Sequence, residues 1–358
     1  MSATRQMNVP ITRTSLLESE IQSVMEPLRS GWLVQGPKVR EFEDKWSAFT
    51  GAKHSIAVTS CTTGLHLSLV ALGIQPGDEV LVTDFSWISS ASCISMVGAL
   101  PVFCDIDLES YHISFESIQR MVTPKTKALV YTHLFGNMTD TTEILEFCKD
   151  HDIAFIEDAA QSLGSSLNGI EAGSIGDCSS ISFNTNKVVA GISGGGVFLT
   201  DDESMATHVE KLARHGRGEM LGRNSKMYLL NCEIIKSRLS RMKIYEKERQ
   251  DIARIYNDAF QDLPVHTQHM GNGLNHNYHK FVIRFEDNDI REMVREALNA
   301  KVHYDTPISK NPMYQYNRIM HKKDNCINSA IASNTILSLP VHPWTETQQI
   351  IDTIRTLS

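Results

Sequence analysis

Between residues 54 and 159, short runs that are apolar throughout alternate with longer segments whose apolar positions recur every three or four residues. The first kind predicts buried strands and the second predicts helices. The predicted strands are HSIAVTS, VLVTDF, LPVFCDI, KALVYTHLF and IAFIEDA. The predicted helices are CTTGLHLSLVALG, ASCISMVGA, SFESIQRMV and TTEILEFCKDHD. This alternation predicts an α/β protein with a mostly parallel sheet covered on both faces, whose ligands bind at the carboxyl ends of the strands.

The pattern changes near residue 236. The segment 236–260, KSRLSRMKIYEKERQDIARIYNDAF, predicts one long amphipathic helix with mixed charges, and a loop rich in turn-forming residues follows it. A strand, HKFVIRF, and a helix, DIREMVREALNAK, come next. We therefore predict a large domain over residues 1–239 and a smaller α+β domain over residues 240–358. No low-complexity linker separates them, so we expect the two to pack firmly together.

Composition narrows the kinds of partner. The 358 residues are 41% hydrophobic and 21% charged, which is typical of a soluble globular protein with a large core. The formal net charge is −8 and the chain has no long block of Lys and Arg, so nucleic acid and anionic membranes are excluded as main partners. We expect a small-molecule ligand instead.

The N-terminal segment and the cysteines indicate the compartment of the protein. The polar N-terminal segment lacks the apolar core of a signal peptide, and no stretch approaches the roughly 20 apolar residues of a membrane span. We therefore expect a cytoplasmic protein. The seven cysteines are scattered and never spaced C-x-x-C, which predicts reduced thiols rather than disulfides or a zinc site.

Lys187 lies in SFNTNKVVAGISGGG, between the predicted strand CSSISF and three consecutive glycines. Glycines let the backbone approach a ligand closely, so a lysine at such a turn is well placed to form a Schiff base with a carbonyl. Most lysines are simply solvated, however, and Lys187 alone does not decide between the two interpretations.

Asp158 and Gln161 also indicate a cofactor site. Asp158 ends the apolar strand IAFIEDA, where a carboxylate is costly unless a cation such as a protonated pyridine nitrogen meets it. Gln161 could then contact a substituent of the same ring. A helix N-cap at Asp158 is an equally good alternative.

The segment TSCTTGL follows the first predicted strand and opens a helix. The backbone amides and hydroxyls of Thr62 and Thr63 therefore form a candidate phosphate site, although ordinary helix capping explains the same residues. Trp87, in DFSWISS, follows the next strand, where an indole could stack on an aromatic cofactor ring. Burial in the core is the alternative for an isolated tryptophan.

The order and spacing of several segments then carry a family resemblance. These segments are SGWLVQGPKVREFE, VTSCTTGLHLSL, IQPGDEVLVTDFSW, GALPVFCDID, THLFGNMTD, IEDAAQSLGS, GDCSSISFNTNK, SGGGVFLTDD, LGRN and LSLPVHP. Over nearly the whole chain they resemble the DegT/DnrJ/EryC1/StrS aminotransferases. Members of that family use pyridoxal 5'-phosphate (PLP) to aminate keto-sugars linked to nucleotides.

The resemblance implies a fold type I PLP-dependent transferase: a large domain with a mostly parallel seven-stranded sheet between helices, and a smaller C-terminal α+β domain. It implies that Lys187 binds the cofactor and carries the proton, that Asp158 pairs with the pyridinium and that Gln161 contacts the ring hydroxyl. The remaining implied cofactor contacts are Thr62, Thr63 and Ser182 for the phosphate, Trp87 for the ring face and Asn224, in LGRN, for the phosphate of the neighbouring subunit. A homodimer with shared active sites follows from the last contact.

The substrates are also implied by the resemblance. Glutamate would be the amino donor, and a nucleotide-linked keto-sugar the acceptor. The pattern FNTNK followed by SGGG looks more like members that aminate C-4 of UDP- or dTDP-linked 4-keto-6-deoxy sugars for surface glycans than like the C-3 group, which is the alternative. The chain departs from the usual SGT with SCT and from GEGG or GDGG with SGGG, and neither departure removes a reacting group.

Other functions fit less well. Sugar dehydratases of this fold carry a histidine where this chain has Lys187. A non-catalytic regulatory protein with the same fold is an alternative that the sequence does not exclude. A dinucleotide dehydrogenase is disfavoured, because no G-x-G-x-x-G follows the first strand.

Two further patterns are ambiguous. Two H-x-x-H pairs are compatible with a metal site, but no carboxylate or cysteine completes a ligand pattern, so a loop near the substrate is the better interpretation. The pairs are His266 with His269 and His276 with His279. A basic cluster at the start of the long helix either steers a sugar diphosphate or forms a solvated face with Glu246 and Glu248. Its members are Lys236, Arg238, Arg241 and Lys243.

Overall fold

The computed structural model describes residues 16–33, 36–316 and 319–357. The helices are α1 (Glu18–Ser30), α2 (Pro37–Thr50), α3 (Cys61–Ala71), α4 (Ser89–Met96), α5 (Phe115–Met121), α6 (Thr142–Asp150), α7 (Glu203–Leu212), α8 (Leu229–Leu239), α9 (Met242–Phe260), α10 (Asn288–Leu298), α11 (Pro312–Gln315), α12 (Ile327–Thr335) and α13 (Thr347–Leu357). The strands are β1 (His54–Val58), β2 (Glu79–Thr83), β3 (Leu100–Cys104), β4 (Thr126–Thr132), β5 (Ala154–Asp158), β6 (Ser166–Leu167), β7 (Ile170–Glu171), β8 (Cys178–Ser182), β9 (Gly196–Thr200), β10 (Val265–Thr267), β11 (Leu274–Asn275), β12 (Phe281–Phe285), β13 (Lys322–Lys323) and β14 (Ile336–Leu339).

The main sheet has the strand order β1-β9-β8-β5-β4-β2-β3-β13. Its strands are parallel from β8 to β13, and β9 runs antiparallel to both of its neighbours. The prediction of a mostly parallel sheet is therefore confirmed, but the count of seven strands is wrong by one within the described residues. The eighth strand, β13, consists of two exposed lysines, which have no apolar pattern that a sequence could reveal.

The central strands form where the sequence is apolar on both faces of the sheet. Val80, Leu81 and Val82 of β2 are all fully buried, because α3 and α4 pack on one face while α5 and α6 pack on the other. Burial on both faces is what helices on either side of a parallel sheet require. The carboxyl ends of β1, β2, β5 and β8 meet at one edge, and the segments that follow them carry the predicted cofactor residues.

The predicted long helix over 236–260 is instead two helices. α8 ends at Leu239 and α9 begins at Met242, because Arg241 leaves the helical conformation with ψ near 9°. The Ser240 hydroxyl donates to the carbonyl oxygen of Ser237 at 2.6 Å and closes the end of α8. Both helices have mixed charges, so the sequence pattern runs on across the break.

The C-terminal part has its own core. β10, β12 and β14 form an antiparallel sheet covered by α9, α10 and α13, with Tyr256, Phe281 and Ile350 among the buried side chains. The predicted boundary at 239/240 coincides with the break before α9 and stays a prediction. Ile308 and Tyr314, far beyond that boundary, belong to the core of the large domain, as expected for two parts that pack firmly.

None of the helices in the described part of the chain is both long and apolar enough to cross a bilayer. All seven cysteines are free and buried, and their reduced state stays a prediction.

Candidate active site

A polar cavity of about 400 Å³ opens at the carboxyl ends of β1, β2, β5 and β8. Of the residues predicted to bind the cofactor, those that line this cavity are Thr62, Trp87, Asp158, Gln161, Ser182 and Lys187. Thr63 and Asn224 are not among its lining residues. Segments that are far apart in sequence therefore bring most of the predicted set into one place.

Lys187 lies on a tight loop that follows β8. Its backbone N–H donates to the carbonyl of Asn184 at 2.9 Å, and the N–H of Gly191 donates to the carbonyl of Phe183 at 2.7 Å, which closes the loop. Burial lowers the pKa of Lys187 to about 8. A lowered pKa increases the neutral fraction of the amine near neutral pH, and the neutral amine is the form that attacks a carbonyl.

The glycines after Lys187 let β9 lie against the start of α3. Gly195 has φ +126°, a conformation that side chains other than glycine rarely adopt. A Cβ atom on Gly196 would lie 2.5 Å from the backbone nitrogen of Cys61. The chain therefore needs the SGGG run because two backbones meet closely beside the cavity.

Asp158 is buried at the carboxyl end of β5. Its Oδ2 accepts a hydrogen bond from the Ser90 hydroxyl at 2.7 Å, and its Oδ1 accepts one from the backbone N–H of Ala160 at 3.1 Å. These donors fix the direction in which the carboxylate points. Residues 159–165 form turns and no helix, so the alternative of a helix N-cap at Asp158 is wrong.

Cys61 stands where the family pattern usually has glycine. Its thiol is buried against Oδ1 of Asp158, at 3.8 Å, and the carbonyl of Ser180, at 3.4 Å. Burial raises the pKa of this thiol well above its usual range, so it stays protonated and serves as a weak donor beneath Asp158. The departure from SGT to SCT thus adds packing under the cavity without adding an anion.

Gln161 is held at both ends of its amide. Its Oε1 accepts from the backbone N–H of Phe135 at 3.0 Å, and its Nε2 donates to the hydroxyl of Tyr304 at 3.1 Å. The ring of Tyr304 lies 6.2 Å from the ring of Trp87. Trp87 is 59% exposed, so the alternative of a core tryptophan is wrong, and its ring borders the cavity.

The start of α3 provides the polar end of the cavity. Ser60 caps this helix by accepting the N–H of Thr63 at 3.1 Å, and the hydroxyl of Thr63 lies 2.9 Å from the same oxygen. The Thr62 hydroxyl donates to Ser89 Oγ at 2.9 Å at the cavity wall, which Ser182 also lines. Thr63 therefore has a capping role in this structure, and its role as a phosphate ligand stays a prediction.

Sequence reasoning missed several residues of the cavity. These are Ser90, Lys280, His303 and Tyr304, together with His279, which was considered only as part of an H-x-x-H pair. Burial lowers the pKa of His303 to about 3 and that of His279 well below its usual value, so both rings are neutral. The signal that could have found His279 and Lys280 is their position at the start of a predicted strand, HKFVIRF, but a lone sequence does not tell a buried lysine from an exposed one.

The two H-x-x-H pairs separate in the structure. His276 is buried and accepts the N–H of Tyr278 at 2.7 Å, and His279 lies at the cavity. His266 lies beside Glu286, at 3.6 Å, on the edge of the small sheet. Within the described residues, no three potential ligands are grouped in a way that could hold a metal ion.

The basic cluster near α8 is largely paired. Lys236 forms ion pairs with Glu233 at 2.7 Å and Glu41 at 3.1 Å, and Arg238 pairs with Glu20 at 3.0 Å. Arg238 and Arg241 also border a second cavity of about 280 Å³, which the carboxylates of Glu20 and Glu248 line as well. The other residues of interest in that cavity are Lys187, Arg249, His342 and Trp344.

The chemistry of the main cavity fits PLP. An amine of lowered pKa, a buried carboxylate, hydroxyls at a helix N-terminus and an exposed indole are the groups that would hold its carbonyl carbon, its ring nitrogen, its phosphate and its ring face. When bound, PLP supplies a carbonyl that takes up amines and a ring that withdraws electrons from the adjacent carbon. The fold and this set of groups define a fold type I PLP-dependent enzyme.

Comparison with known proteins gives the family. Residues 14–358 match the family model of the DegT/DnrJ/EryC1/StrS aminotransferases. The chain belongs to this family and is a PLP-dependent sugar aminotransferase.

Three relatives illustrate the similarity. The chain is 30% identical to the UDP-2-acetamido-2-deoxy-3-oxo-D-glucuronate aminotransferase of Pseudomonas aeruginosa over 93% of both proteins. It is 33% identical to the GDP-perosamine synthase of Vibrio cholerae over 75% of this chain and 76% of that protein. A protein of Streptococcus pneumoniae, described as a sugar aminotransferase and solved in its PLP form, superposes with a TM-score of 0.91 at 26% identity over 98% of both chains.

Proposed function

We propose that this enzyme transfers the amino group of L-glutamate to C-4 of a UDP- or dTDP-linked 4-keto-6-deoxyhexose, giving an amino sugar for a surface glycan. The observation that carries the proposal is the position of Lys187, which borders both the polar cavity of about 400 Å³ and the basic cavity of about 280 Å³. The first has the chemistry for the cofactor and the reacting carbon. The second has the charge for a nucleotide diphosphate.

Arg241 and Arg249 support the second part of this assignment. Both border the basic cavity, and guanidinium groups bind phosphate oxygens through two parallel hydrogen bonds. Burial lowers the pKa of Arg249 to about 10, which leaves it cationic at neutral pH. The exposed ring of Trp344, at the same cavity, offers a surface for a nucleobase.

Two other segments are candidates for anchoring the nucleotide: GWLVQG and the loop that carries the two H-x-x-H pairs. Of the GWLVQG segment, Gly31, Trp32, Leu33 and Gly36 are described, whereas residues 34 and 35 lie outside the described part of the chain. His279 is the member of the histidine pairs that borders the main cavity. We therefore assign the diphosphate to the arginine pair rather than to the histidine loop.

The choice of C-4 rests on the FNTNK and SGGG segments. Asn184, Asn186, Ser193 and Gly194 from these segments border the main cavity close to Lys187, where they would contact the sugar ring. The position of the reacting carbon relative to Lys187 depends on such contacts. Amination at C-3 is the second candidate, favoured by the similarity to the P. aeruginosa enzyme, whose name specifies a 3-oxo sugar.

The residues of this chain would divide the work as follows. Lys187 holds the cofactor and, once its amine is released, moves the proton at the carbon beside the nitrogen. Asp158, fixed by Ser90, keeps the ring nitrogen protonated. Asn224 is exposed and is not among the residues that line the cavity of its own chain, which supports a homodimer in which it completes the neighbouring site.

Product analysis tests the proposal. The loaded enzyme would be incubated with glutamate and either a 4-keto-6-deoxy or a 3-keto nucleotide sugar, with UDP and dTDP forms of each, and the products examined by NMR. We expect amination of the 4-keto substrate, and none by Lys187→Ala. Amination of the 3-keto substrate alone would refute C-4 while leaving the family assignment intact.

A further inference from the structure

Lys280 carries a buried amine that has no hydrogen-bond partner among the described residues. It lies directly before β12, is 2% exposed, and its Nζ makes no hydrogen bond to any described residue. It borders the same cavity as Lys187. An ammonium group buried in this way is costly unless an anion or an acceptor meets it, so a ligand that enters the cavity is the natural partner.

The surroundings of Lys280 contain an excess of positive charge. Lys187 faces it from the loop after β8 and Arg249 from α9, and the neutral rings of His279 and His303 lie on the adjacent segments. Arg249 already donates to the carbonyl of Tyr278 at 2.9 Å. Burial, together with the charges of Lys187 and Arg249, lowers the pKa of Lys280 to about 7.

Among the described residues, no carboxylate acts on Lys280 itself, whereas Glu248 acts on Arg249 and Asp158 acts on Lys187. Among the described residues that line the cavity, Asp158 is the single carboxylate. Asp158 is bound by Ser90 and by the N–H of Ala160, and its predicted partner is the cofactor ring. A substrate anion that enters the cavity would supply a partner for protonated Lys280.

We propose that Lys280 binds a carboxylate group of a substrate inside the main cavity. This inference rests on the proposed function, in which glutamate and the keto-sugar reach Lys187 in turn. Because a 6-deoxy sugar has no carboxylate, the group that Lys280 binds is one of the two carboxylates of glutamate. The cofactor phosphate is assigned to the start of α3 and the diphosphate to the basic cavity. A sugar acid is the other source of a carboxylate, and the experiment separates the two.

Binding of glutarate to the PLP-loaded enzyme tests the proposal without turnover, because glutarate has two carboxylates and no amine. Isothermal titration would compare the wild type with Lys280→Met, Lys280→Arg and Lys149→Met, an exposed lysine on α6 that serves as the matched control. We expect Lys280→Met to weaken glutarate binding by about 10- to 100-fold, the usual loss for a hydrogen bond to a charged group. Lys280→Arg should retain most of the affinity and Lys149→Met all of it.

The pH dependence gives a second, independent readout. Lys280 binds an anion only when protonated, so glutarate affinity of the wild type should fall as the pH rises through about 7. Lys280→Arg should keep its affinity to higher pH, because arginine stays charged. The thermal midpoint and the absorbance of the bound cofactor establish that each variant is folded, and the wild-type pH profile tests the proposal even if Lys280→Met does not fold.

Steady-state kinetics identify the source of the carboxylate. If Lys280→Met raises the KM for glutamate, with a smaller change in kcat and in the KM for the keto-sugar, glutamate is supported as the source of the carboxylate. An increase in KM only for a sugar that carries an acid group overturns the donor assignment. Unchanged glutarate affinity in Lys280→Met overturns the proposal altogether, and neither binding result depends on which carbon of the sugar is aminated.

Discussion

The hydrogen bond from Ser90 to Asp158 is the shortest that the carboxylate of Asp158 receives, at 2.7 Å, against 3.1 Å from the N–H of Ala160 and 3.4 Å from the hydroxyl of Thr132. Ser90→Ala removes it without touching a residue predicted to contact the cofactor. The carboxylate keeps the N–H of Ala160 and the more distant hydroxyl of Thr132, but it loses its shortest donor and is held less firmly. We expect turnover to fall because the partner of the ring nitrogen is then poorly oriented.

The expected decrease in turnover follows from the strength of the hydrogen bond between Ser90 and Asp158. A hydrogen bond to a charged group contributes about 1.5–3 kcal/mol, which corresponds to about 10- to 100-fold in rate if the whole contribution acts in the transition state. Ser90 borders the cavity, so water can enter and replace part of the lost donor. We therefore expect the lower end, about a 10-fold decrease in kcat/KM.

Ser329 provides the matched control. It is fully buried, and its hydroxyl donates to Oδ1 of Asp105 at 2.9 Å, away from the cavity. Urea unfolding and kinetics would be measured for Ser90→Ala and Ser329→Ala together. Both variants should lose about 1–2 kcal/mol of stability, and only Ser90→Ala should lose activity. If Ser90→Ala is destabilised like the control and keeps wild-type kcat/KM, the orientation of Asp158 by Ser90 is refuted.

The remaining predictions concern the predicted cofactor residues. Lys187→Ala should abolish turnover and the visible absorbance of the loaded enzyme while circular dichroism stays unchanged; near wild-type turnover would refute its role. Asp158→Asn should strongly reduce kcat but spare much of the PLP affinity, measured by equilibrium titration, because an amide cannot stabilise a pyridinium. Lys187→Ala and Asn224→Ala subunits, mixed, should regain activity at one site per heterodimer, and an active monomer in sedimentation would contradict the shared site. The cofactor-free chain should take up PLP faster as the pH rises through about 8, where the amine of Lys187 loses its proton, in stopped-flow absorbance measurements; a midpoint near the ordinary lysine value would contradict this.

The fold was largely predictable because its central strands are buried on both faces. A run such as VLVT in β2 leaves few alternatives to a strand in a parallel sheet. The predictions of secondary structure failed where the hydrophobic pattern of the sequence is uninformative. β13 has only two residues, both exposed, and the break between α8 and α9 depends on a local hydrogen bond of Ser240 within an otherwise continuous helical pattern.

The candidate site was predictable only in part. The family resemblance located Lys187, Asp158 and Gln161, and the structure brings all three to one cavity. It did not indicate which of the serines after Trp87 would reach Asp158, because that depends on how α4 lies over the sheet. Lys280 gave no signal, since its burial results from the packing of β12 beside the loop at residues 303–304, and sequence alone favours an exposed lysine.

The distribution of charge suggests how one lysine could serve two different substrates. In the proposed reaction, glutamate and the keto-sugar must each bring one carbon to Lys187, although their charged groups differ in size and distance from that carbon. The chain offers separate cations on the two sides of Lys187: Lys280 in the main cavity, and Arg241 with Arg249 in the basic cavity. Arg241 is the cation of the basic cavity that could change with the sugar without disturbing the donor site, because Arg249 also acts on the pKa of Lys280. Under the proposed function, this arrangement would let the sugar anchor of this chain change while the chemistry at Lys187 stays the same.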